Sequence, residues 1–401
     1  MNINSPEFLN NPYPFYAERR ASAPVFRRND FEWTITGFQE LSTFLAKPSA
    51  GRGNIGQTPH RGGDTSAIDA LKKNNPSLAL IERWMTFQNP PKHTKTRGNI
   101  ASVFTNKLVS LLEQSIRKTL RELLYSNTEQ GTEFDFVSTV AYPFPLTVIS
   151  DMLGIPKEDR TQFAKLTRSL TIATQSNFHQ LPKSVLQELN NSAVALEMYF
   201  KELLPKKIAN QSDDLMTRLI NKNSKDLDTQ ELLANCVFLL FAGQDTTTCL
   251  LTNAMSAFFA HPEEWQKLIK QPDLIPNAVE ECLRFDPSVQ LVGRFALEDI
   301  EIENNVIKQG HHVFAFLGAA GRDPLANPTP DIFDVSRKNI KHLAFARGAH
   351  HCLGATLARL EIRIFIEEML NLMPTIEAAG DAIRRPTWLL RGFDRMPVRV
   401  A

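Results

Sequence analysis

The segment Phe345-Ala-Arg-Gly-Ala-His-His-Cys-Leu-Gly-Ala-Thr-Leu-Ala-Arg359 decides how this chain is read. It is a glycine-bearing loop that runs straight into a periodic, helix-forming stretch, and Cys352 stands where the two join. A thiolate needs its charge compensated. Backbone N–H groups at a helix N-terminus supply that, lowering the thiol pKa and favouring metal ligation. Taken alone, a cysteine is more often one more buried core residue. A zinc site of His350, His351 and Cys352 is a further alternative, but adjacent ligands without a second cluster match no common zinc spacing. Cys236, Cys249 and Cys282 are scattered, with neither disulfide density nor paired metal spacing, which fits a reducing compartment.

Outward from this loop the text is mainly helical. The longest candidate helix opens at Asp228, an N-cap type residue, and runs to His261-Pro262, about 33 residues or roughly 50 Å at 1.5 Å each. Its stretch Cys236-Val-Phe-Leu-Leu-Phe-Ala242 is apolar all round, so it is expected to be buried on every side as a central helix. Leu108, Leu111, Leu112, Ile116, Leu120, Leu123 and Leu124 recur at three-and-four spacing and predict one amphipathic helix. Residues 25–36 place β-branched and aromatic side chains on both sides of Asn29-Asp30 and predict a hairpin. Short strands are expected at Ile300-Glu-Ile302, His312-Val-Phe-Ala-Phe316 and Met396-Pro-Val-Arg-Val400. Residues 49–75, rich in Gly, Asn, Thr and Lys, read as a long functional or disordered loop.

The totals bound the function. Lys and Arg number 45 against 44 Asp and Glu, a net charge of +1, so no bulk field draws nucleic acid or an anionic membrane. The first eleven residues are polar and lack a secretory pattern, and no apolar run approaches the roughly 20 residues of a membrane span. The expectation is a cytoplasmic protein with no membrane anchor. With no repeat, low-complexity tract or linker in view, residues 1–401 are expected to form a single, mainly α domain with small β-sheets (α+β).

The cysteine loop resembles the haem-binding signature of the cytochrome P-450 superfamily, with Phe345, Gly348, His350, Cys352 and Gly354 on its positions. It departs at Ala346, where the family usually has glycine. Other stretches resemble the family in order along nearly the whole chain. Asn89-Pro-Pro-Lys-His-Thr-Lys-Thr-Arg97 is similar to the stretch whose His and Arg bind a haem propionate, which implies His93 and Arg97. Gly293-Arg-Phe is similar to the strand whose Arg reaches the other propionate, which implies Arg294. Glu281-Cys-Leu-Arg284 with Arg337 resembles the family's structural Glu-x-x-Arg triad, although an exposed pair at that spacing is common and worth under about 1 kcal/mol. Gly321-Arg-Asp-Pro324 resembles a family turn that often carries Asn where Gly321 stands.

Ala242-Gly-Gln-Asp-Thr-Thr247, midway along the long helix, resembles the oxygen-binding segment. The resemblance implies that Ala242 and Gly243 leave room for dioxygen and that Asp245 and Thr246 are the acid and alcohol that deliver protons. Without it, Asp-Thr-Thr reads as a helix kink or local cap, though a buried Asp is costly unless it has a partner or a task.

The resemblance therefore implies a single P-450-like domain with heme b (iron protoporphyrin IX) as cofactor and Cys352 as axial iron ligand. It implies a monooxygenase that inserts one atom of O2 into a mid-sized lipophilic substrate, with electrons from a ferredoxin and a ferredoxin reductase. Oxidative coupling, desaturation or rearrangement on the same haem is the alternative among enzymes. A non-catalytic haem sensor or recruiting scaffold is the alternative of another class. The family layout places residues 49–75, 170–182, 288–292 and 389–393 around the substrate, with Lys72, Lys73 and Arg83 as candidates to meet a carboxylate. It also groups Lys92, Lys95, Lys107 and Arg347 as a basic patch for the electron donor.

Overall fold

The computed structural model describes residues 3–53, 72–175, 181–222 and 228–401, apart from the side chains of 164, 168 and 171–175. Helices dominate and the sheets are small, as the sequence predicts. By contacts the chain forms two compact units. The first comprises Met1–Ala50, Leu111–Pro145 and Thr246–Ala401, and the second Gly51–Ser110 and Leu146–Asp245. The long helix Thr229–Ala260 gives its first half to the second unit and its second half to the first.

In the first unit the predicted hairpin forms. Val25–Arg27 and Glu32–Ile35 pair antiparallel with Val25 opposite Ile35 and Arg27 opposite Trp33. Glu32–Ile35 then pairs in parallel with His312–Ala315, which in turn pairs antiparallel with Val292–Ala296. This order brings the strand carrying Arg294 next to one from twenty residues later. The inner face of the sheet buries Trp33, Ile35, Val313 and Ala315 with Leu41 and Phe44 of the helix Phe38–Ala46. A second apolar cluster joins Phe8 and Tyr16 of the N-terminal helices to Leu291 and Phe316.

The central helix starts as its sequence predicts, with the Asp228 carboxylate accepting the Glu231 N–H at 2.7 Å. It stops before Pro262, which opens the next helix. The leucine-rich stretch after residue 106 is a correction. It forms two helices, Asn106–Leu111 and Glu113–Tyr125, broken at Leu112. Ile116, Leu120 and Leu124 of the second are buried, whereas Leu111 is 68% exposed, so the periodicity ran on through a turn.

In the second unit, Trp84 is fully buried and stacks on Phe241 at 5.2 Å between centroids. Asn235 of the central helix accepts the Met85 N–H and donates to the Arg83 carbonyl. Most of the glycine-rich stretch, 54–71, lies outside the described residues, as do 176–180 of the segment 170–182. Among the described residues, no helix is long and apolar enough to cross a membrane.

Candidate functional site: a cysteine loop and a central helix

The loop that carries Cys352 is shaped by its own backbone. Ala346 N–H donates to Leu343 O, His351 N–H to Gly348 O, and Cys352 N–H to Phe345 O at 2.9 Å. Two residues are left-handed, Ala346 at φ 54° and Gly348 at φ 76°. At Gly348 glycine is required, since a Cβ there would stand 2.1 Å from the Leu45 carbonyl oxygen. At Ala346 an L-residue occupies a conformation that glycine takes without strain. The helix Ala355–Leu372 begins directly after Gly354. Arg359, one turn along it, lies 4.6 Å over the Phe345 ring and donates to Glu280 at 2.6 Å. Burial pushes the Glu280 carboxyl up, but hydrogen bonds from His342 and Arg359 outweigh it and hold it at about 2.

The thiols divide sharply. Cys236, Cys249 and Cys282 are buried, and Cys352 is exposed. Burial, with Asp214 adding, pushes the Cys236 thiol up to about 12, and burial beside Glu281 pushes Cys282 higher. Cys352 is the exposed thiol among the four. His350 is half-buried and His351 exposed. Among the described residues no group of three or more His, Cys, Asp or Glu side chains gathers as a metal cluster.

Along the central helix nearly every residue from 232 to 255 is buried, and the exceptions form one stripe. Phe238, Ala242 and Thr246, four apart, are half-exposed together with Gly243. Asp245 is 6% exposed and faces the interior. A Cβ on Gly243 would come 3.0 Å from Ile149, so glycine there also meets a packing need. One residue past Thr246, the Thr247 hydroxyl donates to Glu361 at 3.4 Å. Burial holds that carboxyl well above the ordinary range.

Of the remaining predicted residues, His93 is buried and Arg97 half-buried one turn apart on the helix Lys92–Val103. Arg294 is buried on its strand and donates to the Gly293 carbonyl at 3.0 Å. Glu281, Arg284 and Arg337 meet. Arg284 makes two bonds of 2.7 Å to the Glu281 carboxylate, and Arg337 makes one of 3.2 Å. The two arginines also hold the carbonyls of Gly321, Pro328, Pro330 and Ile332, fixing the chain that leads to the cysteine loop. Gly321 has its own reason, since a Cβ there would stand 2.2 Å from the Arg284 carbonyl oxygen.

The charged candidates fare differently. Lys72 pairs with Glu82 and Arg83 donates to Gln230. Lys92 pairs with Glu231, and Arg347 donates to Ser42.

Sequence reasoning missed a polar knot. Asn253, 2% exposed on the central helix, donates to the carbonyls of Asp286 and Arg391 at 3.0 and 2.9 Å. Arg391 donates to the Asp286 carboxylate at 2.8 Å, as does the Tyr13 hydroxyl at 2.5 Å. The available signal was an Asn in an apolar helix, a residue that burial tolerates only with partners.

Comparison with known proteins gives the family. The sequence profile of the cytochrome P-450 family matches residues 72–373. The biotin biosynthesis cytochrome P-450 of Bacillus subtilis (strain 168) is 35% identical over 399 residues, covering 98% of this chain and 97% of that one. The cytochrome P-450 monooxygenase PikC of Streptomyces venezuelae is 30% identical, covering 98% and 92%. A solved structure of P-450BioI in complex with an acyl carrier protein ligated to hexadec-9Z-enoic acid superposes with a TM-score of 0.89. It is 33% identical, covering 98% of this chain and 100% of that one. With an exposed thiol ahead of a helix, a half-exposed stripe along the long helix and a match along almost its full length, the chain belongs to the cytochrome P-450 family of haem b oxidoreductases that incorporate oxygen from O2.

Proposed function

We propose that the chain is a haem-thiolate monooxygenase for a lipophilic substrate, fed with electrons by a ferredoxin and its reductase, and working in the cytoplasm as a single haem domain over residues 1–401. The observation that carries the reading is the exposure of Cys352 while the three other cysteines are buried. The residues fit a haem. Cys352 offers a sulfur donor, Gly354 beside it adds no side chain, and a Cβ there would still clear the sulfur at 3.9 Å. Phe345 and His350 flank the donor, His93, Arg97 and Arg294 supply cations for the propionates, and Ala242 and Gly243 keep the helix stripe small.

When bound, the haem supplies activation of dioxygen. This chain's residues manage protons and geometry. Thr246, on the half-exposed stripe, holds a proton at its Oγ1, and the buried Asp245 beside it passes protons inward. Glu281, Arg284 and Arg337 keep the approach to the cysteine loop in one conformation.

Long acyl chains are the first substrates to test, because the solved relative was captured with a fatty acyl carrier protein. Lys72 and Arg83 already have protein partners, so recognition of a free carboxylate draws no support from them. The decisive experiment compares Thr246→Ala and Asp245→Asn with the parent, using hexadec-9-enoic acid, free and carrier-bound, as probe. Thr246→Ala is expected to raise hydrogen peroxide released per NAD(P)H consumed, and Asp245→Asn to slow turnover. Retention of both rate and coupling would refute the proton roles, and no spectral response to either probe would refute the acyl class.

A further inference from the structure

The two segments assigned to the substrate, 288–292 and 389–393, are bound to each other and to one face of the central helix. Val289 and Leu390 form an antiparallel bridge, Gln290 N–H donates to Leu389 O at 2.9 Å, and Arg391 N–H donates to Ser288 O at 2.8 Å. The helix meets this pair at three positions on one face, Thr246, Cys249 and Asn253. Asn253 grips the carbonyls of Asp286 and Arg391. Cys249 leaves no space beyond glycine, since a Cβ on Gly392 would stand 2.7 Å from its sulfur. Nearest the proton-handling residues, the Ser288 hydroxyl donates to the Thr246 carbonyl at 2.7 Å.

That last bond differs from the other two. A carbonyl has two lone pairs, and in a regular helix the N–H four residues on takes one. Ser288 takes the other from a segment outside the helix and 8% exposed. A carbonyl that accepts from outside tilts toward its donor, as solvent-facing carbonyls do in curved helices, and sets the local course of the helix. The Thr246 backbone is thereby tied to the segment assigned above to the substrate.

We propose that Ser288 is a positioning residue: its hydroxyl fixes the helix turn at Thr246 and transmits occupancy of segments 288–292 and 389–393 to the site of proton delivery. The inference rests on the roles given above to Thr246 and to those segments. Asn253 and the Cys249–Gly392 contact act as the fixed pivot, so movement of the paired segments is felt through Ser288 at Thr246. Coupling then depends on a residue that handles no proton itself.

The test compares Ser288→Ala and Ser288→Thr with the parent in the haem-loaded protein. Amide hydrogen exchange over 246–253 reads the tie without any reaction. Peroxide released per NAD(P)H consumed, with hexadec-9-enoic acid as probe, reads its consequence. Ser288→Ala is expected to raise exchange severalfold and the peroxide share at least twofold, with the carbon monoxide spectrum and melting temperature unchanged. Ser288→Thr, which keeps the hydroxyl, is expected to restore both. If Ser288→Ala loses haem, Ser288→Cys, of similar size and weaker as a donor, carries the same two readouts. Unchanged exchange, raised exchange without raised peroxide, or failure of rescue by threonine overturns the proposal. If Thr246→Ala raises peroxide and Ser288→Ala does not, this inference alone falls. If neither does, the underlying reading of Thr246 falls with it.

Discussion

Cys282 and Cys352 carry the same thiol in opposite surroundings. Cys282 sits on the helix Ile275–Phe285 beside Glu281 and Arg284, both fully buried. The ion pair beside it is buried and bonded to backbone carbonyls, and the thiol is buried with it. Cys352 stands at the end of a loop whose backbone bonds are local, and it is itself exposed. Cysteine becomes a ligand through position, with a donor-rich helix start on one side and access on the other. The region around Cys282 is buried and cross-bonded, and the loop around Cys352 leaves its cysteine exposed.

The largest expected difference is chemical. In the haem-free protein at pH 8, iodoacetamide should alkylate Cys352 readily. A thiol pushed up to about 12, as Cys236 is, bears at that pH about a thousandth of the thiolate of an ordinary exposed cysteine. Since a raised pKa delays ionisation, the rate at Cys236 and Cys282 should climb only as pH rises well above 9. Peptide mapping of the alkylated protein checks this, and equal labelling of all four thiols would erase the contrast.

Next in size is the rigidity of the buried ion cluster. Glu281→Gln leaves Arg284 and Arg337 without their counter-charge and should cost about 3–5 kcal/mol in denaturant unfolding. A loss under about 1 kcal/mol would show the cluster to be no firmer than a surface pair.

Smaller effects separate the two left-handed residues of the cysteine loop. Gly348→Ala adds a Cβ onto the Leu45 carbonyl oxygen and should destabilise by about 2 kcal/mol or more. Ala346→Gly removes an L-residue from φ 54° and should stabilise, by less than about 1 kcal/mol once the extra freedom of the unfolded chain is subtracted. Differential scanning calorimetry of both variants gives the order directly, and destabilisation by Ala346→Gly would mean that its methyl packing outweighs the strain.

What was legible in the sequence follows the same division. The hairpin at 25–36, the central helix with its Asp228 cap and the family itself stood out because turn residues, an apolar run and a cysteine motif are local signals. The break at Leu112 was hidden because leucine periodicity continued through a turn. The Asn253–Asp286–Arg391 knot and the Ser288 bond join residues tens to more than a hundred positions apart, so no spacing announces them. Glu361 escaped for the same reason, since its partner Thr247 lies 114 residues earlier.

The central claim is that Cys352, of the four cysteines, holds the haem iron. Reduced protein under carbon monoxide should show the long-wavelength Soret band that gives the family its name, Cys352→Ala should lose it, and Cys282→Ala should keep it. A band that survives in Cys352→Ala, or one that disappears in Cys282→Ala while the fold is intact, would contradict the account.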